Sequence, residues 1–146
     1  MLTDMTLDEL IENFSLFDDW EERYRYLIEL GEKLPPLPEE GKTDDTLVKG
    51  CMSQVWMTVD VTDDQHLMVR ADSDATIVKG LIAVLVIIYD GLAVDKISDI
   101  DMDGVFARLG LDQHLSPNRR NGFYSMVERI RTLGQVSSTS HLSASS

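Results

Sequence analysis

Cys51 is the residue whose type most directly offers nucleophilic chemistry, and it lies within Val48-Lys49-Gly50-Cys51-Met52-Ser53-Gln54-Val55-Trp56. A cysteine attacks as its thiolate, so nearby positive charge and access decide whether it reacts. Lys49 is a cation two positions away, and Gly50 permits a tight backbone bend. A lone cysteine is more often a small buried hydrophobe. Its place on a loop before a strand shifts the balance toward a reactive thiol, because sheet-edge loops are where function is commonly held. Other chemistries lack their residues. His66, His114 and His141 are far apart, whereas a zinc or iron–sulfur site wants a tight His/Cys cluster. Asp99, Asp101 and Asp103 resemble the start of a calcium loop, but Gly110 stands where the closing glutamate is required. Phosphate-binding glycine loops and the Gly-x-Ser-x-Gly nucleophile elbow are absent.

The elements that would position Cys51 can be read from periodicity. Thr6 with Glu9 is a capping box, and Leu7, Leu10, Ile11 and Phe14 follow at helical spacing. A second helix is expected from Asp18, with Glu21 at its third position, a stripe of Trp20, Tyr24, Leu27 and Ile28, and Gly31 as its stop. Leu34-Pro35-Pro36-Leu37-Pro38 must be an extended connector. From Gln54 to Asp60 and from His66 to Asp72 the residues alternate around Thr62-Asp63-Asp64-Gln65, which predicts a β-hairpin with Val55, Met57, Val59, Leu67, Val69 and Ala71 inward. Leu47 and Val48 either begin this sheet or add a short edge to it.

Residues 75–89 are rich in β-branched side chains, yet their length and a Ser73 or Asp74 cap favour a helix buried on most sides. Gly91 ends it. Asp101 caps a short helix stopped by Gly110, and Ser116-Pro117 starts the last one, with Phe123, Met126, Val127 and Ile130 as its stripe and Gly134 as its end. The expected class is α+β: a small antiparallel sheet of two to three strands with helices packed on one face. Residues 1–134 form a single domain in this reading, and the Ser/Thr-rich stretch 135–146 is a disordered tail.

At 146 residues the chain is long enough to bury a core without disulfides. Its 13 Lys and Arg against 26 Asp and Glu disfavour nucleic acid or an anionic membrane as partner. The charge is polarised: residues 1–45 carry 14 acids and 4 bases, residues 105–146 carry 2 acids and 5 bases. Solvated helix faces explain this most simply, and docking by charge onto a protein partner is the alternative. An acidic start without a signal-peptide pattern, together with a single cysteine, leads to the expectation of a cytoplasmic protein.

The stretch from Val48 to Trp56 closely resembles the cysteine motif of the SufE-type sulfur-acceptor family. Two further stretches match the family in the same order: Asp72-Ser73-Asp74-Ala75-Thr76-Ile77-Val78-Lys79-Gly80-Leu81-Ile82, and His114-Leu115-Ser116-Pro117-Asn118-Arg119 running on to Gly122 and Met126. The resemblance covers roughly residues 5–133. It implies a protein that is not a stand-alone enzyme but a sulfur acceptor and activator for a pyridoxal-phosphate-dependent, SufS-type cysteine desulfurase. The family's cysteine takes sulfur as a persulfide, a role that falls on Cys51, and passes it to an iron–sulfur scaffold complex. It also implies no cofactor bound here, since the pyridoxal phosphate (PLP) resides on the desulfurase, and no metal. Gly50, Ser53, Gln54, Asp74, His114 and Arg119 become candidates for orienting the cysteine loop or contacting the partner. Three of these have a plainer reading, a sheet pair for Ser53 and Gln54 and a helix cap for Asp74, and Trp56 of the same motif reads as a structural aromatic. A homodimer stays open, and the competing function is a non-redox acidic adaptor that uses Cys51 only for packing.

Overall fold

The computed structural model describes residues 5–35, 37–48 and 54–145, with side chains to Gly134. Helix α1 spans Leu7–Ser15 and begins as its capping box requires, with Thr6 accepting from the Glu9 N–H. Helix α2 spans Trp20–Glu32, capped by Asp19, which accepts from the Glu22 N–H at 2.9 Å. The cap therefore falls one residue after the expected Asp18–Glu21 pair. Strands β1 (Val55–Val61) and β2 (Leu67–Ser73) form the antiparallel hairpin, with Val59 opposite Val69. Helix α3 (Thr76–Tyr89), a 3₁₀ stretch (Val94–Asp99), α4 (Met102–Arg108), α5 (Leu111–His114) and α6 (Pro117–Ser145) complete the chain.

A two-stranded hairpin is marginal alone and must be covered. Its inner face presents Val55, Met57, Val59, Leu67, Val69 and Ala71, all buried, as the alternation predicts. Helix α3 packs on β2, and α6 packs on β1. Helix α2 lies against α3, so α3 is enclosed between the sheet and α2. That enclosure explains why every residue from Gly80 to Tyr89 is buried. The outer sheet face is open at Met68 and Arg70 but covered near β2's end by the connector around Leu37 and Lys42.

Two glycines read as helix stops do something else. Gly31 is an interior residue of α2, and a Cβ on it would sit 2.7 Å from the Gly80 nitrogen. On Gly80 a Cβ would lie 2.4 Å from the Leu27 carbonyl oxygen. The pair lets α2 and α3 approach backbone to backbone. Gly134 likewise does not end α6, which continues through the stretch expected to be a tail. A Cβ there would come within 3.0 Å of both Ile97 and Leu67. A glycine inside a helix costs only about 1 kcal/mol, which close packing can outweigh. By contrast Gly91 and Gly110 do terminate their helices, with φ of 82° and 75° in the left-handed region.

Gly80→Ala is expected to destabilise the fold. Overpacking against backbone costs ~3 kcal/mol, and the better helix former returns ~1 kcal/mol. The net loss of about 2 kcal/mol should lower Tm by roughly 4–8 °C for a domain of this size. Thermal melts of Gly80→Ala beside the wild type check this, and an unchanged Tm would contradict the close-contact account.

Candidate functional site: the anchors of the cysteine segment

Three of the sequence-derived site residues, Gly50, Cys51 and Ser53, lie outside the described residues, as does Lys49. The structure does describe both ends of the segment that carries them. On the incoming side, a turn from Thr43 to Leu47 is tied by Thr46, whose hydroxyl donates to the Gly41 carbonyl at 2.7 Å. The chain then runs antiparallel beside β1. The Met57 N–H donates to the Thr46 carbonyl and the Val48 N–H to the Val55 carbonyl, both at 2.8 Å, around the Leu47–Trp56 bridge. Leu47 thus adds a short edge to the sheet rather than a full strand.

A residue of the last helix holds this incoming arm. Arg129 donates from Nη1 to the Leu47 carbonyl at 3.2 Å and from Nη2 to the Asp45 carbonyl. The sequence reading missed it. The available signal was its position three residues after Met126 and one before Ile130, at the border of the apolar stripe that faces β1.

On the outgoing side, Gln54 is held by two residues from the end of β2. The Ser73 hydroxyl donates to the Gln54 carbonyl at 2.7 Å. The Gln54 N–H donates to Asp74 Oδ1 at 3.1 Å, and the Asp74 N–H returns to the Gln54 carbonyl at 3.4 Å. Asp74 is therefore not the side-chain cap of α3. That position falls to Ala75, which makes no side-chain cap bond, while its N–H donates to the Ser73 hydroxyl at 3.2 Å. The Asp74 carboxylate is satisfied across the hairpin instead, where it fixes the residue immediately after the cysteine segment.

Beside this clamp is a charge cluster that the sequence reading also passed over. Asp72 is buried at 6% exposure, opposite Trp56 in the strand register. Lys42 Nζ lies 3.5 Å from one of its oxygens and Lys79 Nζ 3.6 Å from the other. The Ser73 N–H donates to it at 2.8 Å and the Leu37 N–H at 3.4 Å. Burial by itself raises the Asp72 pKa. The two backbone N–H groups, with Lys79 and Lys42, outweigh it and hold the carboxyl below its ordinary value. Lys42 also sits over the Trp56 ring, 5.2 Å from its centroid, a cation–π contact. Strand alternation put Asp72 on the solvent face; the connector covering that face is a tertiary feature.

The remaining candidates are placed elsewhere. His114 is exposed on α5 and stacks on Trp20 of α2, with ring centroids 4.6 Å apart and planes at 9°. Arg119 is exposed in the first turn of α6, where its N–H donates to Ser116 Oγ at 3.3 Å. It precedes Arg129 by nearly three turns, about 15 Å along the helix axis. No contact among the described residues joins His114 or Arg119 to either anchor of the cysteine segment. Trp20, Tyr24 and Ile28, expected as part of the core stripe of α2, are only half-buried and line a surface groove with Glu21 and Arg25. No group of three or more metal-ligating side chains occurs among the described residues, and no helix there is long and apolar enough to cross a membrane.

An α+β domain built on one hairpin, with a cysteine segment fixed at both ends, defines the class of protein. Comparison with known proteins supplies the family. The Fe–S metabolism associated domain of the SufE family matches residues 8–134, and the chain belongs to that family. A SufE-like protein of Rhizobium meliloti (strain 1021) is 43% identical over 130 residues, covering 87% of this chain and 93% of the relative. The solution structure of a hypothetical protein from Thermus thermophilus superposes with a TM-score of 0.75 at 21% identity. It covers 92% of this chain and 99% of its own, a likeness of fold. Family membership brings a role in iron–sulfur metabolism.

Asp72→Asn tests the charge cluster. Because the folded carboxyl titrates below the ordinary 3.8, its stabilisation is complete above that value and is lost as pH falls through the lower folded value. Losing the charge-assisted bonds is expected to cost about 2 kcal/mol at pH 7. Denaturant titrations of both proteins should show that gap shrinking below pH 3.8. A gap that is constant from pH 7 down to the acid limit would contradict the ionised Asp72.

Proposed function

We propose that this protein accepts sulfur from a SufS-type cysteine desulfurase as a persulfide on Cys51, stimulates that enzyme's turnover, and hands the sulfur on to iron–sulfur cluster assembly. The observation that carries the reading is the pairing of family membership with the two anchors. The chain's single cysteine stands three residues from Val48 and three from Gln54, the two points where the backbone is held. A nucleophile carried between fixed ends can be presented to a partner's sulfur without unfolding the sheet that supports it.

The chemistry is thiol exchange at the sulfane level. The Cys51 thiolate attacks the outer sulfur of the desulfurase persulfide. A new S–S bond forms on Cys51, the S–S bond on the desulfurase breaks, and the desulfurase cysteine leaves as a thiolate. One sulfur atom moves and no external oxidant or reductant is consumed. The C–S bond of free cysteine is cleaved on the partner, whose pyridoxal phosphate supplies that chemistry. This chain supplies the acceptor thiol and the surface that docks, and it needs neither metal nor cofactor of its own. The setting proposed is the cytoplasm.

Cys51→Ser is expected to abolish stimulation of desulfurase turnover while leaving Tm within a few degrees. In this reading the thiol serves function rather than packing, and a substitution of that kind typically changes stability by less than ~1 kcal/mol. Desulfurase activity measured with each protein, beside thermal melts, checks both. Full stimulation by the serine variant would overturn the persulfide mechanism and favour a docking adaptor. Stoichiometric zinc or iron in the purified protein would also count against it.

A further inference from the structure

The two anchors of the cysteine segment are built differently. The outgoing anchor joins neighbours within one hairpin: Gln54, Ser73 and Asp74 are brought together by the strand register itself. The incoming anchor reaches across the fold. Arg129 on α6 bonds to Leu47 and Asp45, 82 and 84 residues earlier in the chain. The other basic residues near this part of α6 are engaged within their own surroundings. Arg120 donates to the Asp112 carbonyl of α5, and Arg131 to the Ile100 carbonyl at 3.5 Å.

Arg129 shares a second feature with Arg23, Arg120 and Arg131, which also donate to carbonyl oxygens, and its buried Nε has a counterpart in Arg131. In a chain of net charge −13, its guanidinium has no carboxylate partner among the described residues; its bonds go to neutral carbonyl oxygens. Its Nε is buried and has no hydrogen-bond partner among those residues. A planar fork suits two carbonyl groups on nearby residues of one turn, a geometry the single ammonium of lysine does not reproduce. Among the described residues, the same arm is held to β1 by the Val48–Val55 and Met57–Thr46 backbone bonds. The fork therefore adds a substantial share of what fixes the position from which the cysteine segment departs.

We propose that Arg129 is a positioning residue for Cys51: by tying the incoming arm to α6, it restrains how the thiol is presented. For sulfur acceptance this rests on the reading in the preceding subsection, but the restraint itself does not require a desulfurase. Its consequence is read on the free protein, as the rate at which Cys51 is alkylated by iodoacetamide across pH. The plateau at high pH, where the thiol is fully ionised, reports presentation, and the midpoint reports ionisation.

Arg129→Gln should raise the plateau rate by about fivefold, the factor corresponding to one ordinary hydrogen bond. Arg129→Lys, which keeps the charge and one donor site, should fall between the two. Arg120→Gln removes a different α6 arginine and should leave the plateau at the wild-type value. Melts run in parallel confirm that each variant is folded at the assay temperature; should Arg129→Gln fail to fold, the lysine variant carries the test. A wild-type plateau in a folded Arg129 variant would overturn the proposal, as would an equal rise in Arg120→Gln. In a desulfurase single-turnover assay, the Arg129 variants should change the transfer rate within the bound complex and leave Kd by calorimetry unchanged. If the wild-type protein alkylates normally but takes no sulfur at all, the sulfur-acceptor reading fails while the alkylation series still decides the role of Arg129.

Discussion

From Gly80 to Tyr89 helix α3 is apolar on every side, and the need to cover it organises the molecule. A helix of this kind cannot lie on a surface; it must be enclosed. The hairpin covers one side and α2 the other, and the second contact is possible only because Gly31 and Gly80 let two backbones meet. The hairpin in turn gains from α3 the apolar cover that a pair of strands cannot provide for itself. Fixing α3 also fixes what precedes it. Ser73 ends β2 and Asp74 follows it, two residues before α3, so the clamp on Gln54 inherits its position from the best-buried element of the fold.

The polar interactions near the cysteine segment follow the same logic at the edge of the core. A buried carboxylate is costly unless it is paired and hydrogen-bonded. Asp72 meets that condition with two lysines and two N–H groups drawn from separate parts of the chain: the connector at Leu37 and Lys42, the strand end at Ser73, and α3 at Lys79. Lys42 links the cluster to Trp56, whose backbone pairs with Leu47 on the incoming arm. Connector, hairpin and α3 are thus joined by side chains close to the anchors, and Arg129 adds α6. The ends of the cysteine segment are supported by the connector, the hairpin, α3 and α6 rather than by one element alone.

What the sequence reveals and conceals divides along the range of the interaction involved. The Thr6 capping box, the hairpin register and the left-handed glycines at 91 and 110 are local events, and local patterns predict them. Gly31 and Gly134 carry the same residue type, but their reason for being glycine is a neighbouring element that no short window contains. Asp74 has the spacing of a cap and loses that role to a backbone N–H twenty residues away in the chain. Asp72 falls on the solvent side by alternation and is buried by a connector whose path proline content alone does not set. Arg129 reads as one more surface base on a helix. Gln54 and Asp74, each named by a motif, meet at the outgoing anchor, whereas no motif names Arg129, which supports the incoming one. His114 and Arg119 share a motif, yet among the described residues they meet Trp20 and Ser116 rather than the anchors.

The proposed role requires that Cys51 receive sulfur as a persulfide. Intact-mass analysis after incubation with a cysteine desulfurase and free cysteine, followed by peptide mapping under non-reducing conditions, tests it most directly. The account predicts a gain of about 32 Da, one sulfur atom, confined to the peptide containing Cys51 and removed by a reducing thiol. An unchanged mass under conditions in which the desulfurase turns over and is stimulated by this protein would contradict it.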